Sequence, residues 1–348
     1  MAAAGPTRLS PRWIAAGAIS VVLACVLGVV VGTISLPPNG VLLELVDHLP
    51  FVDVDSGLTD TQAAIVWEVR FPRVVLGLLV GGLLAISGSA YQGVFRNPLA
   101  DPFLLGIAAG AGLGATFAVV TGAGDNSGMF DAVPLAAFAG ALLAVLVTML
   151  LGSAGRGLSS PATLLLAGVA VAAFFTAVQV FVQQQNIDSL KQIYLWMLGS
   201  LTTVGWGEVG LLLPYFVVSV GGLLLFRGSL DVLAVGDEEA RTLGMNPRRI
   251  RFIVVVLASL AAAAAVAVSG LIGFVGLVVP HAVRLVVGVS HRVVVPLALL
   301  FGGVFLVLAD LVARTVMAPA ELPIGVVTAF IGAPFFLLIL KSRGSELT

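Results

Sequence analysis

Residues 13–34 read WIAAGAISVVLACVLGVVVGTI, an apolar run with no charged side chain. A helix of about 20 such residues crosses the hydrocarbon core of a bilayer. The run follows Arg8 and Arg12. It exceeds the apolar core of a secretory signal and shows no small-residue cleavage site, so it is expected to be an uncleaved first span. Similar runs recur at 74–92, 103–120, 133–152, 162–181, 208–226, 250–268, 272–288, 294–312 and 323–341. They are continuously apolar rather than alternating, which selects helices over a barrel. The expected fold class is all-α, a polytopic membrane protein with about ten transmembrane helices.

Composition agrees. Of the 348 residues, 59% are hydrophobic and 10% charged, against about 25% charged in a soluble domain. A chain this poor in charge cannot clothe a water-facing surface, so membrane lipid is an expected partner. The net charge of −1 gives no reason to expect nucleic acid. The one cysteine, Cys25, excludes an internal disulfide framework and reads as a small core residue. His48, His281 and His291 are too scattered for metal-ligand spacing. Lys191 and Lys341, the only lysines, stand in no Gly-x-x-x-x-Gly-Lys pattern, so no phosphate-cradling loop is expected and no cofactor is assigned. If ATP drives this protein, another subunit binds it.

Basic residues set the orientation. With the N-terminus inside, the inner segments hold Arg8, Arg12, Arg96, Arg156, Arg227, Arg241, Arg248, Arg249, Arg251, Arg284, Arg292, Lys341 and Arg343. The outer segments hold Arg70, Arg73, Lys191 and Arg314. Both termini are then cytoplasmic. The 41 glycines suit close helix crossings. No internal repeat is visible, which counts against transporters built from paired halves.

Four stretches stand out. Gln92–Pro102 contains Asn97, Pro98 and Pro102; it is either a plain helix break or a conformational joint near a gate. Residues 232–251 form the longest polar inner stretch, with a short helix expected from about Leu233 to Leu243, stopped by Gly244 and Pro247. That helix suits docking into another protein, although a solvated loop fits the composition as well. Ser269–Arg284 is rich in glycine around Pro280, so an irregular, closely packed helix is expected, with His281 a packed residue. Asp310 and Arg314 lie one helical turn apart, as an ion pair at the membrane edge would.

These stretches, with Arg70-Phe71-Pro72-Arg73, Leu164–Ala170, Gly273–His281, Ala309–Arg314 and Glu321–Ala329, closely resemble the FecCD-type permeases. These are type II ABC importers of ferric siderophores, haem and cobalamin. The motifs run in the family's order from Arg70 to the C-terminus. The resemblance implies one permease domain over 1–348, with a cytoplasmic coupling segment at 232–247. It implies a second permease copy or homologous permease, two cytoplasmic ABC ATPase subunits and an extracytoplasmic substrate-binding protein. The chain itself would then be no enzyme. Ala234, Val235, Gly236, Asp237, Glu238, Glu239, Ala240, Arg241, Thr242, Leu243 and Gly244 match the coupling segment. Arg70, Arg73 and Arg314 match outward arginines that meet carboxylates of the binding protein. Tyr194–Ser200 resembles a short helix at the outer mouth of the pathway, which would turn residues between Gly168 and Gln183 toward the pore. Gln179 is the best polar candidate there, with an interhelical hydrogen bond as its other reading.

The implied function is the membrane-spanning permease of an ATP-driven importer of an iron chelate, a ferric siderophore first, with haem or cobalamin as alternatives. An ion-coupled transporter would need an intramembrane acid site, whereas Glu208, Asp310 and Glu321 sit at span ends. A membrane-embedded enzyme would need a catalytic constellation, and none is visible.

Overall fold

Inside a bilayer only the chain itself can satisfy a backbone amide, so the apolar runs become helices. The computed structural model describes residues 9–48, 54–123, 132–153, 161–202 and 205–344. Arg8 and Arg156, which enter the charge pattern above, lie outside those residues. In chain order the helices are α1 (Pro11–Val30), α2 (Pro38–Asp47), α3 (Asp60–Ala64), α4 (Phe71–Phe95), α5 (Ile107–Val120), α6 (Ala132–Ser153), α7 (Pro161–Gln185), α8 (Leu190–Met197), α9 (Gly207–Val235), α10 (Asp237–Thr242), α11 (Pro247–Ser269), α12 (Val275–Val287), α13 (His291–Thr315) and α14 (Ile324–Gly344). No strand occurs among the described residues.

Seven of the expected spans are helices long and apolar enough to cross a membrane. The other three, at α5, α12 and α14, have shorter apolar helices, Ile107–Val120, Val275–Val287 and Ile324–Ile339. The first two are shortened by irregular entries. A 3-10 turn, Pro102–Leu105, leads into α5 through Gly106 at φ 84°. Gly270–Phe274 leads into α12, with Phe274 itself at φ 68°. Such backbone is tolerated at membrane depth where protein surrounds it: Gly106 lies against Val171 and Ala144, and the Phe274 ring lies over Gly332.

Helix α4 is the hub. In its most apolar window 83% of the residues are buried, against 22% for α1 and α7. Helices α1, α9, α11, α12 and α13 pack around it, while α5, α6 and α7 pack on one another and join through α11. The closest crossings need glycine. A Cβ on Gly88 of α4 would lie 1.9 Å from the Gly276 carbonyl oxygen, and one on Gly110 of α5 2.2 Å from that of Gly140. Such proximity maximises van der Waals contact, which drives helix association in lipid. Leu225 on α9, Phe330 on α14 and Leu166 on α7 remain largely exposed, as lipid-facing or subunit-facing residues must.

The chain alternates between two ends of this bundle. One end, called here the α8 end, gathers the close of α1 and α13 with the start of α4 and α14. The other, the α10 end, gathers the close of α4 and α9 with the start of α11 and α13.

One boundary departs from expectation. The helix expected from Leu233 to Leu243 is split. Ala234 and Val235 close α9, which runs nine residues past the expected 226, and α10 begins only at Asp237. The reason is local: Val232–Val235 continues the apolar run, and Gly236 at φ 152° breaks the helix.

Candidate functional site

At the α8 end, a capping box at Thr59 and Gln62 starts α3, which passes through a π turn, Ile65–Arg70, into α4. That path sets Arg70 and Arg73 on one side, facing α1 and α13. Arg73 is the centre. Its Nε donates to both Asp310 carboxylate oxygens at 3.1 Å, and its two terminal nitrogens donate to Glu321 at 3.0 and 2.9 Å. Arg314, four residues after Asp310 on α13, lies 3.5 Å from that carboxylate and donates to the Gly28 carbonyl at 2.6 Å. Arg70 donates to the carbonyls of Val29 and Val30 at 2.8 and 2.9 Å and also to that of Ile34. A cavity of about 210 Å³ opens beside this cluster, with Arg73, Asp310 and Glu321 in its wall together with apolar Leu195, Leu201 and Leu322.

The three arginines expected to face a binding protein are therefore gathered at one end, but turned inward. Arg70, Arg73 and Arg314 are 4%, 8% and 3% exposed. Charge among helix ends is costly unless paired, and two carboxylates and several orphan carbonyls lie within reach of these guanidinium groups. Helix α8 sits beside them. The Ser200 amide donates to the Ser269 carbonyl at 2.8 Å, and that of Gly325 to Leu198 at 3.1 Å, which ties α8 to α11 and α14.

At the α10 end, α4 stops at Arg96, held in the left-handed region at φ 51°. Its Nε donates to the Leu233 carbonyl at 2.7 Å, filling an acceptor in the last turn of α9, and a terminal nitrogen donates to Asp237. Arg251 of α11 reaches the same carboxylate at 3.0 and 3.2 Å. Burial pushes the Asp237 carboxyl up, but hydrogen bonds and charge from Arg251 and Arg96 outweigh it and hold it below the usual range. Among the α10 residues, Ala240 is buried, while flanking Val235 and Leu243 stand exposed. A polar cleft of about 580 Å³ follows, lined by Arg241, Gly244, Met245, Asn246, Pro247 and Arg248. Asn97, Pro98 and Pro102 form the turn after Arg96. Asn97 accepts from the Leu99 amide at 3.0 Å, and Pro102 packs where a side chain on Gly276 would stand.

On α7, Gly168 and Gln179 face into the subunit rather than outward. They share a buried stripe with Leu164, Val171 and Phe175, a helical spacing that was legible in the sequence. Gly168 abuts the Leu104 carbonyl, and Gln179 fills the space over Gly112 with its Nε2 3.2 Å from the Met197 sulfur. The interhelical reading of Gln179 is thus the one the geometry has. Gln183 is half-buried, and the open face of α7 carries Leu166, Val169, Phe174 and Phe181. Among the described residues no three His, Cys, Asp or Glu come together as metal ligands would.

A multi-pass helical bundle with an ion-paired cluster at one end and a hinged polar helix at the other defines a membrane permease. The chain belongs to the FecCD transport family, whose sequence profile matches residues 20–342, and is an ABC importer permease. It is 42% identical over 287 residues to the cobalamin import system permease protein BtuC of Halobacterium salinarum, covering 82% of this chain and 76% of that one. It is 35% identical to the Fe(3+)-citrate import system permease protein YfmE of Bacillus subtilis, over 96% and 97% of the two chains. A solved inward-facing metal-chelate type ABC transporter superposes with a TM-score of 0.82 at 28% identity, covering 96% of this chain and all of that one. The fold is that of type II importer permeases.

Proposed function

We propose that this permease passes a metal chelate, an iron chelate in the first instance, across the cytoplasmic membrane, with ATP hydrolysed by separate ATPase subunits at the α10 end. The observation that carries this reading is the short helix α10, set off by Gly236 and flanked by exposed Val235 and Leu243. A polar helix between two apolar handles suits insertion into a cleft of a soluble motor. The excess of basic residues at the same end supports a cytoplasmic placement for it and for both termini. A binding protein docks at the α8 end, on a surface that Arg70, Arg73 and Arg314 hold together from beneath. The pathway runs between this chain and a second permease, along the apolar open face of α7. Substrate crosses chelated, so no metal-ligating side chains are required of the chain.

Cobalamin is the second reading, favoured by the 42% identity to a permease named for that cargo. An ion-coupled mechanism is disfavoured because the buried acid Asp310 is already engaged by Arg73 and Arg314. Proteoliposomes holding the permease with its ATPase and binding protein test the proposal. Radiolabelled ferric siderophore should accumulate with ATP and not with a proton or sodium gradient. Uptake of cyanocobalamin alone would move the assignment to a corrinoid, and uptake driven by a gradient would refute the importer reading.

A further inference from the structure

Helix α10 is joined by the chain to α9 through Gly236 and to α11 through residues 243–246. Neither link reaches α4, the hub of the bundle. The link that does is ionic. Asp237, the first residue of α10, shares its carboxylate between Arg96 at the end of α4 and Arg251 in α11. Arg251 is 1% exposed, and its Nε and one terminal nitrogen have no hydrogen-bond partner. A buried cation of this kind is costly, which a helix connection alone would not demand. Arg96 in turn leads directly into the Asn97–Pro102 turn. Beyond that turn, Pro102 wedges against Gly276 of α12, and the Leu104 carbonyl seats against Gly168 of α7. Displacement of Asp237 therefore pulls on one packed chain of residues that ends at two helices of the bundle.

We propose that Asp237 is the positioning residue through which movement of α10 is passed to α4: an ionic clasp with Arg96 and Arg251 that makes the Arg96–Leu105 segment follow α10. The Gly236 backbone, at φ 152°, is the swivel about which α10 turns, and the clasp keeps that rotation from being dissipated locally. Asn97, Pro98 and Pro102 then act as a lever arm, not as a gate in their own right. Contiguity alone does not establish coupling, so the claim is one about measurable linkage. It rests on the reading of α10 as the motor contact.

The test uses the whole complex, permease with ATPase and binding protein, in proteoliposomes, and measures substrate carried per ATP hydrolysed. Asp237→Asn and Arg96→Gln should each lower that ratio about 10-fold, within the range common for coupling between two sites. With Arg96→Gln the ATPase subunits should still copurify, with hydrolysis retained. The double variant should fall no further than the worse single one, because both changes break one link. Asp237→Glu, which keeps the charge, should recover much of the ratio. An unchanged ratio in Arg96→Gln, or losses that multiply in the double variant, would overturn the clasp. So would loss of ATPase copurification in Asp237→Asn, because the residue would then serve docking rather than transmission. Should the Asp237→Asn permease itself fail to fold, because Arg251 is stranded, Arg96→Gln decides alone, since it leaves the Asp237–Arg251 pair intact. If the unaltered permease copurifies no ATPase, it is the reading of α10 as motor contact that fails, a result separate from any variant.

Discussion

The two ends of the bundle solve the same electrostatic problem in opposite ways. At the α8 end, Arg70, Arg73 and Arg314 are buried, and Arg73 is saturated by two carboxylates drawn from positions 237 and 248 residues away. At the α10 end, Arg96 and Arg251 share one carboxylate, that of Asp237, beside a glycine that frees the backbone. The first arrangement locks α1, α4, α13 and the α14 entry together. The second ties a short helix to its neighbours through one partly exposed carboxylate, shared between the partly exposed Arg96 and the buried Arg251. One end is cross-braced by its network, and the proposed coupling assigns the movement to the other.

Breaking the locked end should cost most. Arg73→Met leaves Asp310 and Glu321 without their main counter-ion, and removal of one partner of a buried pair costs about 3–5 kcal/mol. Thermal unfolding of the purified protein in detergent should show that loss. A mild effect would mean that the α8 end is looser than its hydrogen bonds imply.

Changes at the mobile end should be smaller for stability and larger for function. Gly236→Ala forces a side chain into a backbone region nearly restricted to glycine, at a cost of about 1–3 kcal/mol. Its Cβ would also meet the Glu239 carboxylate at 1.9 Å, a flexible group that can swing away. The strain should be relieved by displacement of α10, seen as faster proteolysis at the α9–α10 junction and reduced transport, with the bundle's unfolding temperature little altered. Arg96→Gln should cost less than about 1 kcal/mol of stability, as for other partly exposed pairs, while its effect on coupling is the larger one described above.

The pH response should be the smallest effect, and it separates two acids near the α10 end. The Asp101 carboxyl is pushed up to about 6 by burial, against the Phe103 amide that lowers it. Its folded form binds the proton more tightly, so its contribution to stability is complete below the usual carboxylate range and fades as pH rises through 6. Asp237 has the opposite sign. Held below the usual range, it contributes above that range and loses its contribution only in stronger acid. Thermal stability should therefore decline slightly between pH 5 and 7.5 and flatten in Asp101→Asn, with transport per ATP flat over the same interval.

Much of this contrast was hidden in the sequence, for physical reasons. The spans were legible because a continuous apolar run has few fates in water or lipid. The Asp310–Arg314 pair was legible because helical spacing brings residues four apart together. Glu321 and Asp310 could not be assigned to Arg73, because nothing local links positions so distant. The inward turn of Arg70, Arg73 and Arg314 was missed for the same reason: their residue type fits a docking surface until the carboxylates and carbonyls that consume them are placed. On α7, by contrast, the stripe from Leu164 through Gly168 and Val171 to Gln179 was available, and its spacing already turned Gly168 and Gln179 inward. The end of α9 was misjudged because Val232–Val235 looks like the start of a new helix when it is the close of the old one. Clasp residues Arg96 and Arg251 carried no signal of their own beyond their positive charge.

Distances within the assembled transporter test the division between a rigid and a moving end most directly. With Cys25 replaced, spin labels at Leu225 and Leu243 report α10 against α9 across the Gly236 swivel, and labels at Ile34 and Val316 report the α8 end; all four are exposed. The account predicts that ATP shifts the first distance and leaves the second unchanged. A shift confined to the Ile34–Val316 pair, with Leu225–Leu243 fixed, would contradict it.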